Sequence, residues 1–385
     1  MNGIRRMAGA AVIAIALAGC VTYNPLEMIG LASGPAHKPT PLTPITAQVT
    51  PRAIWTASVG KSGGYNFRPD AEGGRIYAAA SDGAVTILEE DTGRVFARTE
   101  TRKQLSGGVV VGEGRILVGT LKGDVVALDP TGKQLWVTNL AGEVIAPAAV
   151  SRKVAVVRTS DGRVFGLSAV DGKRLWVFQR PSPALLLRSE AGVLAIGGDV
   201  LAGFPNGKLL ALDIEDGKLT WEVTVTQPRG ATELERIADV AGLPVIDGDR
   251  VCAAAFQGKV ACFEIQSRNL LWSRDLSSAL GLARDAKYLY IVDDTGAVHA
   301  LDKASGTSVW KQDKLAWRKL TAPLVVDGRV VVGDGSGFVH VLSPDDGALI
   351  GRLATDGSAI LSMIPANGGI VVQTAKGNVS LVRFQ

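Results

Sequence analysis

An all-β fold, an eight-bladed β-propeller of four-stranded antiparallel blades, is predicted by three features of the 385-residue chain. A turn glycine recurs at Gly83, Gly123, Gly162, Gly207, Gly258, Gly296, Gly337 and Gly377. Most intervals are about 40 residues, a period that marks repeat architectures. Apolar residues alternate around each glycine, the period-two pattern of strands with one packed face. A large side chain then closes each copy, at Phe96, Trp136, Trp176, Trp221, Trp272 and Trp310, with Ile350 in the seventh.

Residues 1–19 read as a cleaved export signal. Arg5 and Arg6 precede an apolar run, Met7 to Ala18, that is too short to span a bilayer. The run ends in Leu17-Ala18-Gly19-Cys20, which resembles the lipobox of bacterial lipoproteins and implies acylation of Cys20 as the first mature residue. Ordinary secretory cleavage near Ala18 is the alternative. In Gram-negative lipoproteins an Asp after the cysteine favours the inner membrane. Val21 therefore points to the outer membrane, with the lipid-anchored body on its periplasmic face. Residues 20–51 contain Pro25, Pro35, Pro39, Pro41, Pro44 and Pro51 without periodicity. They are expected to form the anchor and an extended tether, reaching at most ~90 Å.

Residues 52–385 hold the propeller. The clearest copy is Gly123-Asp124-Val125-Val126-Ala127-Leu128-Asp129-Pro130-Thr131-Gly132-Lys133-Gln134-Leu135-Trp136. Its first glycine suits the positive φ of a tight hairpin, so two strands follow from this stretch. Another pair precedes each such hairpin, for example Val144 to Val150 and Val154 to Thr159, which makes four strands per blade. The repeated aromatic is expected to wedge between neighbouring sheets. The eighth copy stops at Gln385 after its third strand. Ala53 to Val59, carrying Trp55 one repeat upstream of Phe96, is expected to complete that blade and remove the open edges.

The formal net charge of +4 loses Arg5 and Arg6 with the signal, leaving no basic excess to hold a polyphosphate. Nucleic acid is thus excluded as an expected partner. No catalytic, metal or cofactor-binding site is expected either. His37 lies in the tether, and His299 and His340 occupy a repeat position that varies among the other copies, with no H-x-x-x-H or Cys/His cluster around it. Gly60-Lys61-Ser62 lacks the earlier glycine of a phosphate loop, Trp55 standing there. Gly333-Asp334-Gly335-Ser336-Gly337 reads as a hairpin turn. Cys252 and Cys262 flank Phe256-Gln257-Gly258 on opposing strands; a disulfide and two small buried apolar residues are both consistent with that spacing.

Ala127-x-Asp129-x-x-Gly132-Lys133-x-x-Trp136 and Ala211-x-Asp213-x-x-x-Gly217-Lys218-x-x-Trp221 resemble the repeat of pyrroloquinoline-quinone-type propellers. The resemblance covers nearly all of the mature chain and implies the fold, not an activity. Quinoprotein dehydrogenases of this type are typically larger and commonly carry two adjacent cysteines near the cofactor, whereas Cys252 and Cys262 are well separated.

The spacing slips in two places, between Gly162 and Gly207 and between Gly207 and Gly258. Both sets of extra residues follow the tryptophan strand, so they should emerge on one face from neighbouring blades, where repeat proteins often bind. The first includes Pro183-Ala184-Leu185-Leu186-Leu187-Arg188 and the second Gly230-Ala231-Thr232-Glu233-Leu234-Glu235-Arg236-Ile237-Ala238-Asp239. Leucines beside charges on loops suggest a protein contact; leucines folded back under their own loops are the alternative.

Together with the lipobox, these segments resemble the BamB family, propeller lipoproteins of the outer-membrane β-barrel assembly machinery. The resemblance implies that a P-x-L-x-L-R segment and an acidic D-V-D segment contact the periplasmic POTRA domains of BamA. The first falls on Leu185, Leu187 and Arg188 and the second on Asp239, with Ala241 in place of the second acid. It also implies a scaffolding role in which strand edges or grooves are offered to nascent outer-membrane proteins, with no bond made or broken. A quinone-dependent dehydrogenase and a cell-wall-binding lipoprotein are the alternatives, the latter with Trp317, Arg318 and Lys319 as its aromatic-basic patch.

Overall fold

Each turn glycine sits at the tip of the hairpin joining the second and third strands of a blade, as between Arg75–Ala79 and Ala84–Glu89. Seven of the eight have positive φ, from 68° at Gly207 to 107° at Gly83. Gly258 is the exception to the expected pattern. There the left-handed residue is Gln257, at φ 46°, whose amide N–H donates to Ser277 Oγ at 2.6 Å.

The computed structural model describes residues 37–385, apart from 182, 184, 186 and 188–191. Its strands form eight four-stranded antiparallel sheets. Blades one to seven take their strands in chain order and span 70–100, 105–139, 149–178, 194–224, 245–275, 283–312 and 324–354. Blade eight contains Ile360–Ala366, Gly369–Thr374 and Asn378–Phe384, and the strand Pro51–Ser58 closes it against the last of these. Trp55 pairs with Leu381 and Ser58 with Asn378. Thr50 and Gln385 exchange backbone hydrogen bonds just beyond the strand. Pro51–Ser58 thereby serves as the fourth, outer strand of blade eight and covers the edge of Asn378–Phe384.

Second and third strands are buried along nearly their whole length, as in Val154–Arg158 and Val164–Ser168. Fourth strands face solvent except at the aromatic, as in Arg174–Phe178, where Trp176 is buried. At five of the eight seams a tryptophan ties one blade to the next by a repeated device. The indole N–H donates to a carbonyl of the following blade, Trp136 to Ala169, Trp176 to Ile214, Trp272 to Lys303, Trp310 to Pro344 and Trp55 to Glu90, at 2.7–3.2 Å. The ring lies against the second turn glycine of that blade, so Gly172, Gly217, Gly306, Gly347 and Gly93 leave no room for a Cβ. Phe96 departs from the expected wedge. It is 44% exposed under the Arg75 guanidinium, and Thr99 fills the space at Gly132 instead.

Residues 39–50, read from the sequence as the end of a free tether, lie along blades six to eight. Thr40 donates to the Ala316 carbonyl, while Arg318 and Arg352 donate to the carbonyls of Thr40 and Thr43. Gln48 and Val49 both donate to the Ile350 carbonyl. At this seam the chain carries Ile350 where other blades have an aromatic, and Val49 is buried in the same apolar cluster.

Candidate partner-binding face

The two insertions leave the fourth strands of blades three and four and converge over the neighbouring turns. In the first, Leu185 is 42% exposed and Leu187 is half-buried. In the second, Thr232 and Glu235 form a capping box. Glu235 Oε2 accepts the Ala231 and Thr232 N–H groups at 2.8 and 3.1 Å, and Thr232 Oγ1 accepts the Glu235 N–H at 3.3 Å. This single turn holds Leu234 outward at 65% exposure. The following residues turn inward. Val240 donates to the Phe204 carbonyl, and Phe256 donates to that of Asp239. Ala238, Val240 and Ala241 are buried.

Asp239 is the joint between the insertions. It is only 4% exposed, and its Oδ2 accepts the Leu187 N–H at 2.7 Å. Burial pushes its carboxyl upward, only partly opposed by hydrogen bonds from the Leu187 and Asn206 amides and by the charge of Arg158. Its carboxylate faces into the chain, so its observed work is to position the first insertion.

Arg158, which the sequence reading passed over, ends the second strand of blade three. It is 7% exposed, its guanidinium lies over the Phe204 ring at 5.3 Å from the centroid, and Nη1 has no hydrogen-bond partner. Burial pulls it down to about 10. With Leu187, Phe204 and Asp239 it lines a cavity of about 10 Å³ under the first insertion. The signal was present in the repeat. Four residues before each turn glycine the blades carry Ala79, Gly119, Arg158, Gly203, Ala254, Val292, Gly333 and Gln373, and only blade three places a charge there.

Cys20 and Arg188 lie outside the described residues. Cys252 and Cys262 are register partners, and their sulfurs are joined in a disulfide. His299 and His340 each meet an aspartate of their own turn, Asp293 at 2.8 Å and Asp334 at 2.9 Å. Burial raises Asp334, but hydrogen bonds from His340, the Phe338 amide and Arg318 outweigh it and hold the carboxyl at about 2. Arg318 is buried in this pair, which removes it from the surface patch considered with Trp317. Among the described residues no group of three or more His, Cys, Asp or Glu side chains is placed to hold a metal ion.

A closed eight-bladed propeller of four-stranded blades, with two insertions joined by the Leu187–Asp239 bond on one face, places the chain among the repeat propellers, whose members differ in their loops. Residues 81–312 match the family model described as outer membrane protein assembly factor BamB. The chain is 47% identical over 334 residues to the outer membrane protein assembly factor BamB of Nitrosomonas eutropha, covering 86% of this chain and 82% of that one. The crystal structure of BamB from Moraxella catarrhalis superposes with a TM-score of 0.81 at 26% identity, over 87% of this chain and 100% of that chain. The quinohemoprotein alcohol dehydrogenase of Comamonas testosteroni shares the fold alone, with a TM-score of 0.70 at 12% identity over 88% of this chain and 78% of that one. The chain belongs to the BamB family of outer membrane protein assembly factors.

Proposed function

We propose that this chain is a non-enzymatic scaffold lipoprotein of the outer-membrane β-barrel assembly machinery, tethered through Cys20 to the periplasmic face of the outer membrane. On this reading it binds the periplasmic POTRA domains of BamA through the face built by Leu185, Leu187 and Arg188 with Leu234, and it aids the folding and insertion of outer-membrane proteins. The observation that carries the reading is the joint. Leu185 and Leu234 stand exposed, next to the Leu187 amide bonded to Asp239 and to the Thr232–Glu235 capping box. Apolar anchors of this kind concentrate binding energy at protein interfaces. The dehydrogenase reading is supported by fold likeness alone, and the cell-wall reading loses the arginine of its patch.

Titration calorimetry of the full chain in detergent with purified POTRA domains tests the proposal. Leu185→Ala combined with Leu187→Ala should weaken binding by at least about tenfold. The thermal midpoint should stay where it is, since neither leucine belongs to the propeller core. An unchanged affinity in the folded double variant would remove this face from the interface.

A further inference from the structure

The cleft between blades three and four contains a cation that the leucine contacts do not use. We infer that Arg158 receives a carboxylate side chain of the partner polypeptide, seated beneath Leu187 and beside Phe204. The inference rests on the proposed partner-binding reading of this face and names the chemistry that the partner must supply.

Five observations support it. Arg158 is nine-tenths buried, yet Nη1 has no hydrogen-bond partner. A buried cation left in that state is costly, and a charged acceptor relieves it better than a neutral one. Asp239, whose charge acts on Arg158, already accepts the Leu187 N–H, and no hydrogen bond joins it to the arginine. Stacking over Phe204 holds the guanidinium in the cleft, so the acceptor must come to it. The cavity of about 10 Å³ has room for roughly one oxygen atom, so a single carboxylate oxygen can enter beside the guanidinium and a ring or a phosphate cannot. The other seven blades carry small or neutral residues at the equivalent position, so strand packing does not require an arginine there.

The test uses the full chain in detergent and purified BamA POTRA domains. Arg158→Met and Arg158→Lys are titrated against the unaltered domains. The unaltered chain and Arg158→Met are then titrated against domains in which each surface Asp or Glu is changed singly to its amide. Arg158→Met should weaken binding by at least about tenfold, and Arg158→Lys should recover part of the loss. One partner amide substitution should weaken the unaltered chain by a similar factor while leaving the affinity of Arg158→Met unchanged, the signature of a direct pair. Equal binding by a folded Arg158→Met overturns the inference, as does a partner scan in which no acid matters; either result would assign the cavity to water. If Arg158→Met does not fold, the partner scan against the unaltered chain decides alone. Absence of any binding by the unaltered chain would overturn the parent reading of the face, a result distinct from binding that ignores Arg158.

Discussion

Asp239 acts through what it holds. Its carboxylate reaches from the second insertion to the backbone of the first, so one side chain couples two loops that are far apart in sequence. Removing the acceptor leaves the Leu187 and Asn206 amides without it, and a buried amide so stranded costs about 1–3 kcal/mol. Asp239→Ala should therefore lower stability by that amount and make the segment around Leu185 more sensitive to limited proteolysis. Asp239→Asn keeps an oxygen for the Leu187 amide and should stay resistant. Equal cleavage of the two variants would show that Asp239 does not anchor the loop. The acid itself stood out in the sequence as a contact residue, but its burial did not. Whether a loop carboxylate faces solvent or a neighbouring loop depends on a partner 52 residues away, which no local pattern encodes.

The elements that close the ring divide into regular and irregular parts. Eight glycines, period-two alternation and a recurring tryptophan made the blades legible, because each feature answers a local demand of the backbone or of one seam. Departures appear where neighbours change that demand. Gly258 yields the left-handed conformation to Gln257, and Phe96 stacks under Arg75 in place of wedging. The segment 39–50 was not legible as part of the body, since its prolines follow no period and its bonds go to carbonyls and arginines of blades six and seven. It covers the seam where Ile350 replaces an aromatic. A chain starting at Pro51 should keep the far-ultraviolet signature of the propeller. It should lose roughly 2 kcal/mol of unfolding free energy in urea, the scale of burying Val49 and part of Leu42. No change in the urea midpoint would mean that the segment rests on the body without stabilising it.

The propeller of residues 51–385 is a closed ring of eight blades with two lapses in its repeat on one face. Pro51–Ser58 closes the last blade, indole bonds tie five of the seams, and the insertions leave from the fourth strands of blades three and four. The docking of residues from Thr40 onward also shortens the tether proposed from Cys20. The most direct test places a photo-crosslinking residue at Leu185 or Leu234 in cells, with a control at Val170, which is 61% exposed in a turn at the opposite end of blade three. Both insertion positions should yield an adduct with BamA, identified by mass, and Val170 should yield none. BamA adducts absent from both insertion positions, or equally abundant from Val170, would contradict the account.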